Sequence, residues 1–275
     1  MDDSLRKAKQ KAAATYDAAA DHFDDTPLSF WGLIGKRTVT NLNLQAGAKV
    51  LDVGCGTGAS ALPAAEIVGP NGSVIGVDLS ARLLDHARDK AKALGLSNVE
   101  FRCADMTSLG YPDGHFDAVV SVFSIFFVPD MEGLVRELWR MVRPGGKLAV
   151  TTWGPRMFEP AYSRWLAAIK QERPDLYSAF NPWHRITDVG SVRRLFRDGG
   201  IANADVVAED GFQILRAPED WWIVALGSGL RWVIEQAGPQ TAARIKADNV
   251  KWLNETRVDR IETNAIYAVG VQVAL

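Results

Sequence analysis

Val50-Leu51-Asp52-Val53-Gly54-Cys55-Gly56-Thr57-Gly58 is the stretch whose reading decides the fold. A short apolar strand, Lys49 to Val53, runs into a turn of alternating glycines. Such a turn lets the backbone approach a ligand where a Cβ would clash, and it aims the free N–H groups of the next helix at that ligand. Gly54, Gly56 and Ala59 also satisfy the dinucleotide pattern G-x-G-x-x-G/A, so the loop alone does not choose among nucleotides. A tight turn without a ligand is the plain alternative.

Outward from this loop, strand and helix alternate. Ala59 to Val68 reads as a helix, and Pro70-Asn71-Gly72 as a turn. Ser73 to Val77 is a second strand, rich in β-branched residues. Ser80 can cap a helix in which Leu83, Leu84, Ala87, Ala91 and Leu94 recur at helical spacing, and Gly95 ends it. Val99 to Arg102 and Phe116 to Val122 are strands three and four. Met131 to Val142 is a helix stopped by Pro144-Gly145-Gly146, and Lys147 to Thr152 is strand five. Parallel neighbours need crossover helices, so residues 49–152 predict a doubly wound α/β sheet.

The flanks read differently. Residues 5–24 form an alanine-rich helix with Leu5 and Tyr16 among few apolar anchors, part of an N-terminal helical cap over 1–48. Residues 155–186 and 218–260 read as helical lid insertions. Asp188 to Arg197 is another crossover helix; Ala204 to Leu215 and Asn264 to Val273 are late strands. The expectation is one domain over 1–275 with a built-on lid.

Two acids narrow the ligand. Asp78 closes the second strand, where a carboxylate can accept from both ribose hydroxyls of a nucleoside. Its bland role is a helix N-terminal acid beside Ser80. Asp105 follows the third strand, where it can accept from an adenine amino group. The Met106 N–H can donate to a ring nitrogen, and Leu79 and Met106 can sandwich the base.

Five blocks together, VLDVGCGTG (50–58), VIGVDLS (74–80), CADM (103–106), FDAVVS (116–121) and VRPGGKLAV (142–150), resemble the class I S-adenosylmethionine-dependent methyltransferases. The likeness is to the small-molecule branch that includes ubiquinone and menaquinone biosynthesis enzymes. It implies a Rossmann-like, mostly parallel seven-stranded sheet with a reversed last strand, a role open to Asn264 to Val273. It implies S-adenosyl-L-methionine as cofactor, released as S-adenosyl-L-homocysteine. Gly54, Gly56 and Gly58 would line its methionine and ribose portion. Asp52 would hold the loop and, through water, the amino group. Asp78 would bind ribose, Leu79, Asp105 and Met106 the adenine. Ser121 would offer its backbone carbonyl to the amino group. Tyr16 to Asp24 is similar to the family's Y-D-x-x-A-x-x-Y-D signature, with Phe23 for the second tyrosine. There the helix closes over the cofactor, making Tyr16 a candidate active-site wall; packing of the helix on the sheet is the alternative. Relatives often carry a histidine pair before V-P-D, whereas Phe126 and Phe127 stand here, so no general base is carried over.

A sulfonium methyl is already activated, so alignment and exclusion of water are the main demands and no metal is required. His22, His86, His115 and His184 show no ligand spacing. His184, in the predicted lid, is a weak catalytic candidate beside Tyr16; a structural hydrogen bond is its other reading. Eight of nine tryptophans, all but Trp139, lie near or beyond the margins of the sheet-and-helix blocks. Rigid apolar walls of this kind suit an aromatic or lipid-like small-molecule acceptor. Packing of the lid, or a contact between two copies in a homodimer, would use them equally well.

Composition sets outer limits. Thirty-one basic against thirty-three acidic residues leave a net charge of −2, no field for nucleic acid. Arg82, Arg88, Lys90 and Lys92 read as a solvated helix face. The longest nearly apolar run, Ala118 to Val128, is short of the roughly 18 residues that span a bilayer. The start lacks the apolar core of a secretory signal. Two cysteines support neither a disulfide framework nor a four-thiolate zinc site; a reducing cytoplasm is the expected compartment. Competing functions are a nicotinamide-dinucleotide oxidoreductase, against which Asp105 and the 142–150 block speak, a non-catalytic S-adenosylmethionine-binding module, and cyclisation or isomerisation on the same fold.

Overall fold

The computed structural model describes residues 3–273, with side chains from residue 6 to 273. The Leu5 anchor lies outside the described side chains. The chain begins with α1 (Asp3–Ala19) and α2 (Phe30–Leu42), then enters the sheet through β1 (Lys49–Val53), α3 (Ala61–Val68), β2 (Ser73–Asp78) and α4 (Ala81–Ala93). It continues through β3 (Val99–Cys103), β4 (Phe116–Val122), α5 (Met131–Arg140) and β5 (Val142–Trp153). Then follow α6 (Ala161–Glu172), α7 (Val189–Asp198), β6 (Ala204–Glu209), β7 (Phe212–Ile214) and α8 (Asp220–Leu226). The last elements are α9 (Arg231–Ala237), α10 (Pro239–Thr256), β8 (Arg260–Glu262) and β9 (Ala265–Val271).

The main sheet has seven strands in the order β3-β2-β1-β4-β5-β9-β6. β9 runs antiparallel to both β5 and β6. The expected reversed strand is therefore last in the chain but sits inside the sheet. Asp52 pairs beside Gly76 and Val120, and Asp78 beside Cys103. This register gathers the carboxyl ends of β1, β2, β3 and β4 at one edge.

Side chains alternate across the sheet, and both faces are covered. Val50, Ala118, Val120 and Ala149 pack with α2, α3 and α4. Leu51, Val119, Leu148 and Val150 share the larger core with α5 and α7. Ser80 caps α4, accepting from the Leu83 N–H, and Asp130 caps α5, accepting from the Gly133 N–H. Residues 155–186 carry α6 and a 3-10 turn at Pro182–Ile186, and residues 218–260 carry α8, α9 and α10. Among the described residues no helix is long and apolar enough to cross a membrane.

Three local expectations need correction. α5 ends at Arg140 and β5 starts at Val142, ahead of Pro144-Gly145-Gly146. Phe116 pairs with Val142 but Ala118 with Lys147, so the proline and glycines are accommodated in a bulge. The N-terminal helix stops at Ala19, and turns occupy the stretch to Asp24. Ala204 to Leu215 is not one strand. It breaks at Asp210-Gly211, where the Gly211 N–H donates to Asn264 Oδ1, and β7 leaves to pair with β8.

α2 sits close against the glycine loop. A Cβ on Gly35 would stand 2.5 Å from the Ala59 carbonyl oxygen. Nearby, Thr38 and Thr151 share a buried 2.7 Å hydroxyl contact. Gly35→Ala is expected to lower stability by about 1–3 kcal/mol, because backbone cannot yield as a side chain does. Urea unfolding would show it, and an unchanged midpoint would mean that α2 is free to slide off the loop.

Candidate functional site

The loop after β1 is shaped by close approaches. Gly54, Gly56 and Gly58 all have positive φ. A Cβ on Gly54 would meet the Ser124 side chain at 2.3 Å, so only glycine lets this turn lie against the segment that follows β4. Asp78 holds the turn from β2. Its carboxylate accepts from the Gly56 N–H and the Ser80 N–H, each at 2.9 Å. Burial pushes its pKa up, against the pull of those bonds.

Asp52 lies one layer deeper. It is buried and accepts from Ser60 Oγ at 2.7 Å, while its Oδ1 has no partner. Burial, with the Asp78 charge nearby, pushes its pKa to about 7, although the Ser60 bond lowers it. Two buried acids thus sit at one cleft, Asp78 in its wall and Asp52 behind it. Burial also drives the Cys55 thiol up, so it is no nucleophile at neutral pH.

The cleft at this edge is lined by Tyr16, Gly54, Gly56, Asp78, Leu79 and Met106, six of the residues expected from sequence. Gly58 faces Leu62 and Phe101 instead. Asp52 stands behind Ser60, which is itself a wall residue. Ser121 is buried in β4 with its Oγ 2.7 Å from Ser124 Oγ, and Ser124 takes the wall position. Asp105 is turned aside as well. It accepts from Lys9 Nζ and from Thr107, leaving Ala104 and Met106 to line the cleft. Burial raises the Asp105 pKa, but the bonds from Lys9 and Thr107 outweigh it and hold the group below its ordinary range.

Sequence reading missed Phe23, Trp31, Cys55, Ser60, Phe123 and Phe127 in the wall. Phe23 stacks on Trp31 at 5.4 Å, and Tyr16 meets Phe127 edge-on at 5.6 Å. Phe123 has φ +53, a backbone state rare for an aromatic residue, and stacks on Trp153 at 4.0 Å. For Phe123 and Phe127 the available signal was the apolar run from Ala118 to Val128, which sequence reading weighed only against a membrane span, ending the strand at Val122.

The signature acids near the N-terminus prove to be tethers. Asp17 accepts from Ser80 Oγ at 2.6 Å, and Arg82 donates to the Asp17 carbonyl. Asp24 accepts from Thr57 Oγ1 at 2.7 Å and from Lys90 Nζ at 2.9 Å. Arg82 and Lys90 therefore do not form a merely solvated face; they bind α1 and its following turn to α4.

A second cavity of about 560 Å3 adjoins the first, within the usual ~300–1,000 Å3 range for ligand sites. Ala12, Tyr16, Trp31, Phe123 and Phe127 line both. Phe126, Trp153, Trp165, Trp183 and Trp232 complete an aromatic shell with Tyr162 and Tyr177. Trp221 and Trp222 instead pack α8, Trp221 donating to Asn249 Oδ1 at 3.0 Å. His184 lines neither cavity; its Nδ1 accepts the Asn181 N–H at 3.2 Å, the structural hydrogen bond of its second reading. Among the described residues no cluster of metal-ligating side chains occurs. Tyr16, on the shared wall, has its pKa pushed far up by burial and then by Asp78.

Residues 50–146 match the family described as a methyltransferase domain. Nocamycin O-methyltransferase of Saccharothrix syringae is 29% identical over 252 residues, covering 86% of this chain and 88% of that protein. Demethylmenaquinone methyltransferase of Anoxybacillus flavithermus is 33% identical over 168 residues, 58% of this chain and 71% of that one. The crystal structure of an S-adenosylmethionine-dependent methyltransferase from Aquifex aeolicus shares the fold, with a TM-score of 0.50, 17% identity and 98% of both chains covered.

The buried acids make a pH test. Asp52 keeps its proton up to about pH 7 when folded, against 3.8 for the ordinary group. The folded chain thus binds more protons than the unfolded one across that interval. The contribution of Asp52 to the stability of the ligand-free protein should fall as pH rises from about 4 to about 7, then level off. Asp52→Asn should reduce the loss between pH 5 and 8 by about 2 kcal/mol, with Asp78 leaving a residual slope of the same sign. Chemical denaturation at the two pH values reads both quantities; a slope untouched by the substitution would place the proton elsewhere.

Proposed function

Since this chain belongs to the S-adenosylmethionine-dependent methyltransferases, we propose that it methylates a large apolar, aromatic acceptor held in the second cavity. The carrying observation is the wall that the two cavities share, Tyr16, Trp31, Phe123 and Phe127. A cofactor in the first cleft and an acceptor in the second would meet at that wall and nowhere else.

The residues of the cleft suit a cationic nucleoside. Asp52 Oδ1 is a buried acceptor without a donor, and a ligand ammonium or an intervening water would satisfy it. Asp78 would bind ribose hydroxyls while still gripping Gly56 and Ser80. Leu79, Ala104 and Met106 would flank the adenine, with Lys9 on Asp105 tying α1 over that end. Positive charge on the ligand would offset the cost of burying two carboxylates together. When bound, the cofactor supplies an electrophilic methyl group whose departing partner is a neutral thioether. The chain's own work is to orient the acceptor between aromatic walls and to keep water out. No histidine lines either cavity, and the aromatic walls position the acceptor. His184 is a capping residue in this reading, and Tyr16 a wall residue.

Methyl transfer from S-adenosylmethionine is the family's chemistry, which replaces the dinucleotide oxidoreductase alternative. The relatives' acceptors are small molecules by name, which supports the same class here. Release of S-adenosylhomocysteine with polycyclic phenols and quinols, but not with small polar amines, is the expected result. Turnover of the amines alone would overturn the aromatic reading. Asp78→Ala should weaken binding of S-adenosylhomocysteine at least tenfold by calorimetry, since a hydrogen bond to a buried charge is worth about 1.5 kcal/mol or more. Unchanged affinity would remove Asp78 from the site.

A further inference from the structure

The second cavity carries one unmatched charge. Of the residues that line it, only Lys11 and Asp175 are ionisable as cation or carboxylate. Asp175 is already satisfied: Arg173 donates to its two oxygens at 2.8 and 2.6 Å. Lys11 has no such partner. Among the described residues it makes no ion pair, and its Nζ stands 4.9 Å from the Trp232 ring centroid. Lys11 is exposed at the cavity mouth, where partial desolvation by the surrounding protein lowers its pKa. A cation held against an aromatic wall attracts an anion more strongly than one in open water does.

The direction of its side chain matters more than its place on α1, because its neighbour Ala12 already lies on the shared wall. Lys11 Nζ stands at Trp232, which lines the second cavity and not the cofactor cleft. Tyr16 belongs to the wall shared with the cofactor cleft, whereas Lys11 lines the second cavity alone. An anion at Lys11 is therefore an anchor, set apart from the atom that reacts at the shared wall.

We propose that Lys11 is a specificity-determining residue, selecting aromatic acceptors that carry an acidic group remote from the methylated atom. The apolar body lies between Phe126, Trp165 and Trp183, and the anionic end stays at the mouth. This inference rests on the reading of the second cavity as the acceptor site.

Tryptophan-fluorescence titration of the full chain with 1-pyrenebutyrate and its neutral amide, 1-pyrenebutyramide, tests it. The acid should bind about fivefold more tightly, the size of a partly screened ion pair. Lys11→Met should abolish the difference and Lys11→Arg should keep it. Lys170→Met is the control: that lysine lies over Tyr177 but does not line the cavity, so the preference should survive. Equal binding of the two probes, or a preference that persists in Lys11→Met, overturns the anion anchor and leaves the aromatic cavity standing. Failure of both probes to bind overturns the acceptor-site reading and the anchor with it.

Discussion

A buried carboxylate organises the functional end of this molecule. Asp78 accepts from the Gly56 N–H of the loop after β1 and from the Ser80 N–H that begins the next helix. One side chain thus joins two strand ends and a helix start. It does so in a poorly solvated place, with Asp52 buried nearby and one Asp52 oxygen unpartnered. Burial raises the pKa of both acids, the Asp78 charge adds to the rise at Asp52, and each is costly to ionise without a compensating positive group. The arrangement costs stability in the free chain, and under the proposed function a cationic ligand would offset that cost.

The N-terminal helix completes the site because it is tied to the same edge. Asp17 reaches Ser80, Asp24 reaches Thr57, and Lys9 reaches Asp105. Each tether joins α1 or its following turn to a segment that leaves the sheet at the cleft. Tyr16 and Ala12 are held there as wall rather than as surface. The wall they share with Trp31, Phe123 and Phe127 divides the cleft at the strand ends from the aromatic cavity. Phe123 at positive φ is the point where β4 turns out of the sheet to present that wall.

Local sequence rules located the framework well where one rule acted alone. Apolar strands ending in glycine or acid, and helices opened by Ser80 or closed by Gly95, were legible because each depends on neighbours in the chain. They failed where distant partners competed. Pro144-Gly145-Gly146 looked like a helix stop, but pairing with β4 extended the strand around it as a bulge. Ala204 to Leu215 looked continuous, but Asn264 captured the Gly211 N–H and released β7. At the site, Gly54, Gly56, Asp78, Leu79, Met106 and Tyr16 were found because their motifs are contiguous. Ser60, Ser124, Phe123 and Trp31 carry no local mark; they reach the cleft only through packing.

The sequence by itself determined the doubly wound sheet, the cofactor loop and the acids at the strand ends. Backbone conformation and strand alternation are set over a few residues, so spacing reveals them. Only the tertiary structure decided which acids face the cleft, that Asp105 is taken by Lys9, and that five aromatic-cavity tryptophans separate from those packing the helices. Those outcomes depend on side chains far apart in the chain competing for the same donors and the same space.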